Sequence, residues 1–173
     1  MKTLVAPTDF SAVSLNAVNY AADMACAIGT DLSLVHVCLI PMAFSEVPAP
    51  AYSVEELIGE AEEKINKLRE KISTRTGGRL KINTEIRTGS IVGEIDDYCA
   101  TVNTYSVVMG AENAGAFERF LFGSKTVAAA KQLDWPLIVV PPDVKFTSMR
   151  KIGLACDFRK VAETIPFKEL KDT

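Results

Sequence analysis

The sequence predicts an α/β domain, doubly wound on a five-stranded parallel sheet, and three observations lead there. Short apolar runs alternate along the chain with stretches of helical periodicity. Most of those runs are apolar throughout, the pattern of strands covered on both faces rather than one. Parallel strands joined by right-handed crossovers lay helices against both faces, which is what such runs require.

Leu4-Val5-Ala6-Pro7 reads as the first strand, stopped by Pro7-Thr8-Asp9. Ser11 then caps a helix whose apolar face is Leu15, Val18, Ala22 and Ala25 and which ends at Gly29. Leu32 to Cys38 is the second strand, and Pro41, Pro48 and Pro50 mark the loop after it. Ser53 with Glu56 three positions on is a capping box. It opens a long helix with Leu57, Ala61, Ile65, Leu68 and Ile72 on one face, closed by Gly77-Gly78. Leu80 to Arg87 alternates as a half-buried strand at a sheet edge. Gly89-Ser90 starts a helix with Ile91, Ile95, Tyr98 and Val102 inward. Ser106 to Met109 is the fourth strand, a helix spans about Ser124 to Gln132, and Pro136 to Val140 is the fifth.

Composition removes several function classes. At 173 residues the chain holds one ordinary domain and a remainder, and 48% hydrophobic against 24% charged residues suits a globular protein rather than a disordered one. Nineteen basic and 22 acidic residues leave a net charge of −3, with no Lys/Arg run to follow a phosphate backbone, so nucleic acid is excluded as a partner. No apolar stretch is long enough for a membrane span, and Met1-Lys2-Thr3-Leu4-Val5 enters a strand directly, so a cytoplasmic location is expected. Cys26, Cys38, Cys99 and Cys156 are widely spaced without a C-x-x-C pair and read as reduced, buried thiols. With a single histidine and no clustered ligands, no metal site is expected.

In a doubly wound sheet ligands sit beyond the carboxyl ends of the strands, where strand order reverses. Thr8-Asp9-Phe10 and the loop from Gly110 belong there. Long connections without secondary structure are uncommon and usually functional, although a plain turn-bearing loop serving packing and dimer contacts is the competing reading. The stretch Met109-Gly110-Ala111-Glu112-Asn113-Ala114-Gly115 and onward to Gly123-Ser124 resembles the nucleotide loop of universal stress proteins, G-x-x-G-x(9)-G-[ST]. Pro7-Thr8-Asp9-Phe10-Ser11, His36-Val37 and Val139-Val140-Pro141 extend the resemblance over residues 1–142.

That resemblance implies a Rossmann-like sheet of order 3-2-1-4-5, as in the adenine nucleotide alpha hydrolase-like folds. It implies an adenine nucleotide as ligand (ATP, ADP or AMP), with Mg²⁺ accompanying ATP. Carried over by motif, the nucleotide-binding positions are Thr8, Asp9, Val37, Met109, Gly110, Asn113, Gly115, Gly123, Ser124 and Lys125. Asn113 stands where the family has its second glycine. Asparagine tolerates positive φ, so the turn survives there, and its side chain either crowds the phosphates or donates an amide hydrogen bond. Gly115 is placed to compensate in part. Homodimerisation through the strand at 137–140 is implied in the same way.

Two single residues invite sharper readings. Asp9 is read as a helix cap that also contacts ligand; a receiver-type phosphoacceptor is excluded because the third strand ends in Arg87-Thr88-Gly89. His36 lies inside an apolar strand with no nucleophilic or acidic partner near it in sequence, and reads as structural. No catalytic residue is assigned.

Residues 149–158 align with residues 1–10, with a basic residue, apolar core positions and Asp-Phe in matching places. The expected organisation is one domain over 1–142, a linker over 143–149, and over 150–173 the first strand and helix start of a truncated second copy. An unpaired apolar strand is a liability, so residues 150–156 are expected to add to a sheet edge, their own or a partner chain's. The function that follows is regulatory binding of an adenine nucleotide in a stress response. A dimeric scaffold that has lost the nucleotide is the alternative, and a slow ATPase would need a positioned base and more cations than Arg119 and Lys125 provide.

Overall fold

The computed structural model describes residues 1–39, 53–111, 124–148, 151 and 153, with Ser124 and Lys125 described in their backbone alone. Among the described residues, nine elements follow in the order β1 (Thr3–Pro7), α1 (Ala12–Ile28), β2 (Asp31–Cys38), α2 (Val54–Arg75), β3 (Ile82–Thr88), α3 (Ile91–Thr101), β4 (Thr104–Gly110), α4 (Ser124–Gln132) and β5 (Leu137–Val140). The five strands form one sheet of order β3-β2-β1-β4-β5, and every pairing is parallel. This is the doubly wound sheet the sequence predicts. The expected strand over 150–156 falls outside the described residues except for Lys151 and Gly153, neither of which is in an element.

Successive strand residues point to opposite faces, and each face has its own core. Leu4, Ala6, Leu34 and Val108 pack with Val18 and Ala22 of α1 and Ile65 and Ile72 of α2. Val5, Val35, Val107 and Met109 pack on the other face with Ile95, Tyr98 and Cys99 of α3 and Ala129 of α4. The central strands β1, β2 and β4 are therefore largely buried, while β3 at the edge carries Glu85 and Arg87. Charge on an edge strand discourages pairing with other chains.

Local signals hold where they are chemical. The Ser11 hydroxyl accepts from the Ser14 amide at the start of α1, and Gly29 ends that helix at φ 68°. Ser53 and Glu56 make the reciprocal capping box of α2. Ser90 stands at the N-cap of α3 but its hydroxyl caps nothing. Two expectations need correction. Leu80 is buried but lies outside β3, because Gly77 and Gly78, at φ 63° and 69°, keep the chain turning and β3 begins only at Ile82. Cys26 is exposed, not buried, although Cys38 and Cys99 are. Cys26 lies in the last turn of α1, where Ile28 is exposed as well.

Beyond β5 the chain turns back over α1. Asn16 Nδ2 donates to the carbonyl oxygens of Pro141 at 3.1 Å and Val144 at 3.3 Å. Phe146 meets the Tyr20 ring edge-on with centroids 5.3 Å apart, and packs on the α1/α2 core. Pro141, Val144 and Phe146 are thus tied to α1. Phe146→Ala is expected to cost about 2 kcal/mol, less than a fully buried Phe would, read as a lower denaturant midpoint at unchanged slope.

Candidate nucleotide cleft

β1 is central, and the chain leaves it toward β2 on one side and returns through α3 to β4 on the other. The carboxyl ends of β1 and β4 consequently part into a cleft. Its floor is Pro7, Thr8 and Asp9 from β1 and the turn after it, with Met109 and Gly110 from β4. Val35 and Val37 of β2 and Ile91 and Ile95 of α3 make an apolar wall, and Ser11, Val13 and Ser14 of α1 and Thr126 of α4 close the opposite side. Of the positions expected from the sequence, Thr8, Asp9, Val37, Met109 and Gly110 are brought together here. Asn113, Gly115 and Gly123 lie outside the described residues, as do the side chains of Ser124 and Lys125. The backbone of Ser124 and Lys125 is helical and belongs to α4.

The floor is held by a dense set of hydrogen bonds. The Thr8 amide donates to Val35 O at 2.8 Å, prolonging the β1–β2 ladder past the last strand residue. Thr8 is buried; its Oγ1 accepts from the Phe10 amide at 3.0 Å and shares a hydrogen bond with Ser14 Oγ at 3.1 Å. Asp9 Oδ1 accepts from the Ser11 amide at 3.1 Å, so the carboxylate caps the start of α1 while lining the cleft. Phe10 takes φ 63°, a left-handed conformation that costs a bulky residue on the order of 1–3 kcal/mol. Behind the sheet, His36 Nδ1 donates to the Thr8 carbonyl at 2.7 Å and its ring lies 4.7 Å from that of Phe10. His36 therefore has a partner that sequence proximity does not show.

Gly110 is also a packing position. A Cβ there would sit 2.6 Å from both Cγ1 and the backbone oxygen of Val13. The missing side chain lets the first turn of α1 close over the end of β4, and Thr126 Oγ1 donates to the Gly110 carbonyl at 3.1 Å from α4. One glycine thus joins three elements at the cleft.

A second polar cluster braces the α3 wall. Arg87 lies beside Val37 in the β2–β3 register. Its guanidinium reaches Glu85 at 3.3 Å and Glu94 at 3.5 Å and lies 5.3 Å from the centre of the Tyr98 ring, whose hydroxyl donates to Ser33 Oγ at 3.0 Å. Gly89 leaves room for Glu94, since a Cβ there would stand 2.6 Å from Glu94 Oε1. The α3 turn bearing Ile91 and Ile95 is pinned to β3 in this way.

Among the described residues lining the cleft, Asp9 is the one ionisable side chain, and no cluster of metal-ligating side chains occurs among the described residues. The apolar wall suits a flat ring, and the hydroxyls of Thr8, Ser11, Ser14 and Thr126 suit polar groups beside it. Burial pushes the Cys99 thiol up to about 11, a rise that the Thr104 hydrogen bond opposes and Asp96 reinforces, and burial also raises Cys38. A raised thiol pKa leaves little nucleophilic thiolate at neutral pH. A thiol reagent at pH 7.5 is expected to label Cys26 and spare Cys38 and Cys99, as peptide mapping would show. The sign for stability follows: the folded state holds the Cys99 proton more tightly, so its contribution is complete below the unfolded thiol pKa and lost as pH rises toward about 11.

Comparison with known proteins defines the class. The family model of the universal stress protein family matches residues 1–141, and the chain belongs to that family. A universal stress protein of Methanocaldococcus jannaschii is 29% identical over 141 residues, covering 80% of this chain and 81% of its own. Two solved structures share the fold. One is the universal stress protein from Archaeoglobus fulgidus in complex with dAMP, with a TM-score of 0.56 at 20% identity, covering 81% of this chain and 97% of that one. The other is a universal stress protein in complex with cAMP, with a TM-score of 0.57 at 20% identity, covering 82% and 97%. No helix among the described residues is long and apolar enough to cross a membrane.

Proposed function

We propose that this protein binds an adenine nucleotide in the β1/β4 cleft as a regulatory ligand of a cytoplasmic stress response. The observation that carries the reading is the convergence of Thr8, Asp9, Val37, Met109 and Gly110 from three strands on one cleft at the point of strand reversal. The adenine ring lies along Val37 and Met109, the ribose lies toward Asp9, and the phosphates lie toward the start of α4. Two relatives of the same fold were solved with adenine nucleotides, dAMP and cAMP, which supports this ligand class. The candidates are ATP, ADP and AMP, with Mg²⁺ accompanying ATP. Calorimetric titration with each, with and without Mg²⁺, tests the reading: saturable heat with at least one supports it, and silence with all three rejects it. Phosphate release above buffer background would be required for the slow-ATPase alternative.

The scaffold reading draws on a separate observation. β5 is an edge strand whose one neighbour among the described residues is β4, and Leu137, Ile138 and Val139 are half-exposed. An apolar edge of this kind favours pairing with a second copy of the chain. Homodimerisation through 137–140 is compatible with nucleotide binding, because β5 lies on the far side of β4 from Val37.

A further inference from the structure

We propose that His36 is a positioning residue for the cleft. From behind the sheet it holds the Thr8-Asp9-Phe10 turn in its left-handed form and so fixes the Asp9 carboxylate beside the ligand. This inference rests on the nucleotide reading for its binding consequence, but the geometry stands by itself. Val37 faces the cleft, so its neighbour His36 points to the opposite face of the sheet, where Phe10 packs against the α1/α2 core. There it touches the turn on both sides of Asp9: Nδ1 donates to the Thr8 carbonyl at 2.7 Å, and the ring lies 4.7 Å from Phe10 at an interplanar angle of 33°.

The turn needs such a hold. Phe10 at φ 63° is in a conformation a bulky side chain leaves unless its surroundings enforce it. If φ of Phe10 relaxes, the Ser11 amide moves and the hydrogen bond from it to Asp9 Oδ1 is lost, and with it the carboxylate's orientation. The Phe10 amide, bonded to Thr8 Oγ1 at 3.0 Å, reports on the same turn. The hydrogen bond from the ring nitrogen is directional and carries the hold; the ring contact is secondary.

The test uses the full chain and two independent readouts. In ligand-free protein, His36→Phe keeps an aromatic ring and removes the donor, and the Phe10 and Ser11 amides are expected to exchange about tenfold faster than in the parent, while core amides of β1 and β4 are unchanged. In titrations with AMP and with ATP, His36→Phe is expected to bind about fivefold more weakly, the worth of one ordinary hydrogen bond. Combining it with Asp9→Asn is expected to add little beyond the weaker single variant, because both act through one carboxylate. His36→Asn, which keeps an N–H donor near the Nδ1 position, is expected to recover most of the affinity and protection, and it decides the matter should His36→Phe not fold. Unchanged exchange at both amides, or effects of His36→Phe and Asp9→Asn that simply add, would overturn the proposal. Failure of the parent protein to bind either nucleotide would reject the nucleotide reading instead, leaving the exchange arm to decide whether His36 positions the turn.

Discussion

Gly110→Val is expected to lower stability by about 3 kcal/mol and to abolish nucleotide binding in the same step. The clash is with the Cβ itself, 2.6 Å from the backbone oxygen of Val13, so no rotamer avoids it. Val13 cannot simply retreat. It lies in the first turn of α1, which is tied down by the Ser11 cap and by the Thr8–Ser14 hydrogen bond. Relief therefore comes from moving β4 or lifting the start of α1, and either movement opens the cleft between them. Gly110→Ala is expected to act in the same direction for the same reason. Urea unfolding paired with titration measures both effects; a folded Gly110→Val protein of unchanged midpoint would show that this packing contact is not what the glycine serves.

Val37→Trp is expected to separate binding from folding. Val37 is half-exposed on the cleft wall, at the end of β2 and beside Arg87 in the register. An indole fits a strand well and extends into the space assigned to the adenine ring. Nucleotide affinity should fall by about a hundredfold or more, equivalent to about 2.7 kcal/mol, while folding stability changes by less than about 1 kcal/mol. Full affinity in this variant would place the ligand elsewhere. Together the two substitutions ask whether one cleft is both a packing junction and a binding site.

The fold was readable because its signals are local and periodic. Apolar runs such as Leu32 to Cys38, the Ser53/Glu56 box and Gly29 each specify their element without reference to the rest of the chain. Leu80 misled because an apolar residue in alternation looks like a strand residue even when two left-handed glycines hold it in the preceding turn. Cys26 misled because a free cysteine is usually buried, and that tendency does not say which face of α1 carries it.

The site was readable only along its motif. Thr8, Asp9, Val37, Met109 and Gly110 stand at strand ends and could be named. Ile91 and Ile95 could not, because a residue on a helix's inward face reads as core whether or not a cleft opens beside it. Val13 and Thr126 were hidden for a related reason: their role is contact with Gly110, a residue remote in sequence. The same holds for His36, whose hydrogen-bond partner is the Thr8 backbone, a group that carries no side-chain signal at all. Asn113, the one departure from the family's glycine pattern, lies outside the described residues.

The central claim, that an adenine nucleotide occupies the β1/β4 cleft, is tested most directly by recording backbone amide resonances of the full chain as AMP, ADP or ATP is added. The account predicts saturable shifts concentrated at Thr8, Asp9, Val37, Met109 and Gly110, with the amino ends of the same strands unmoved. Shifts centred on other surfaces, or none with any of the three nucleotides, would contradict it.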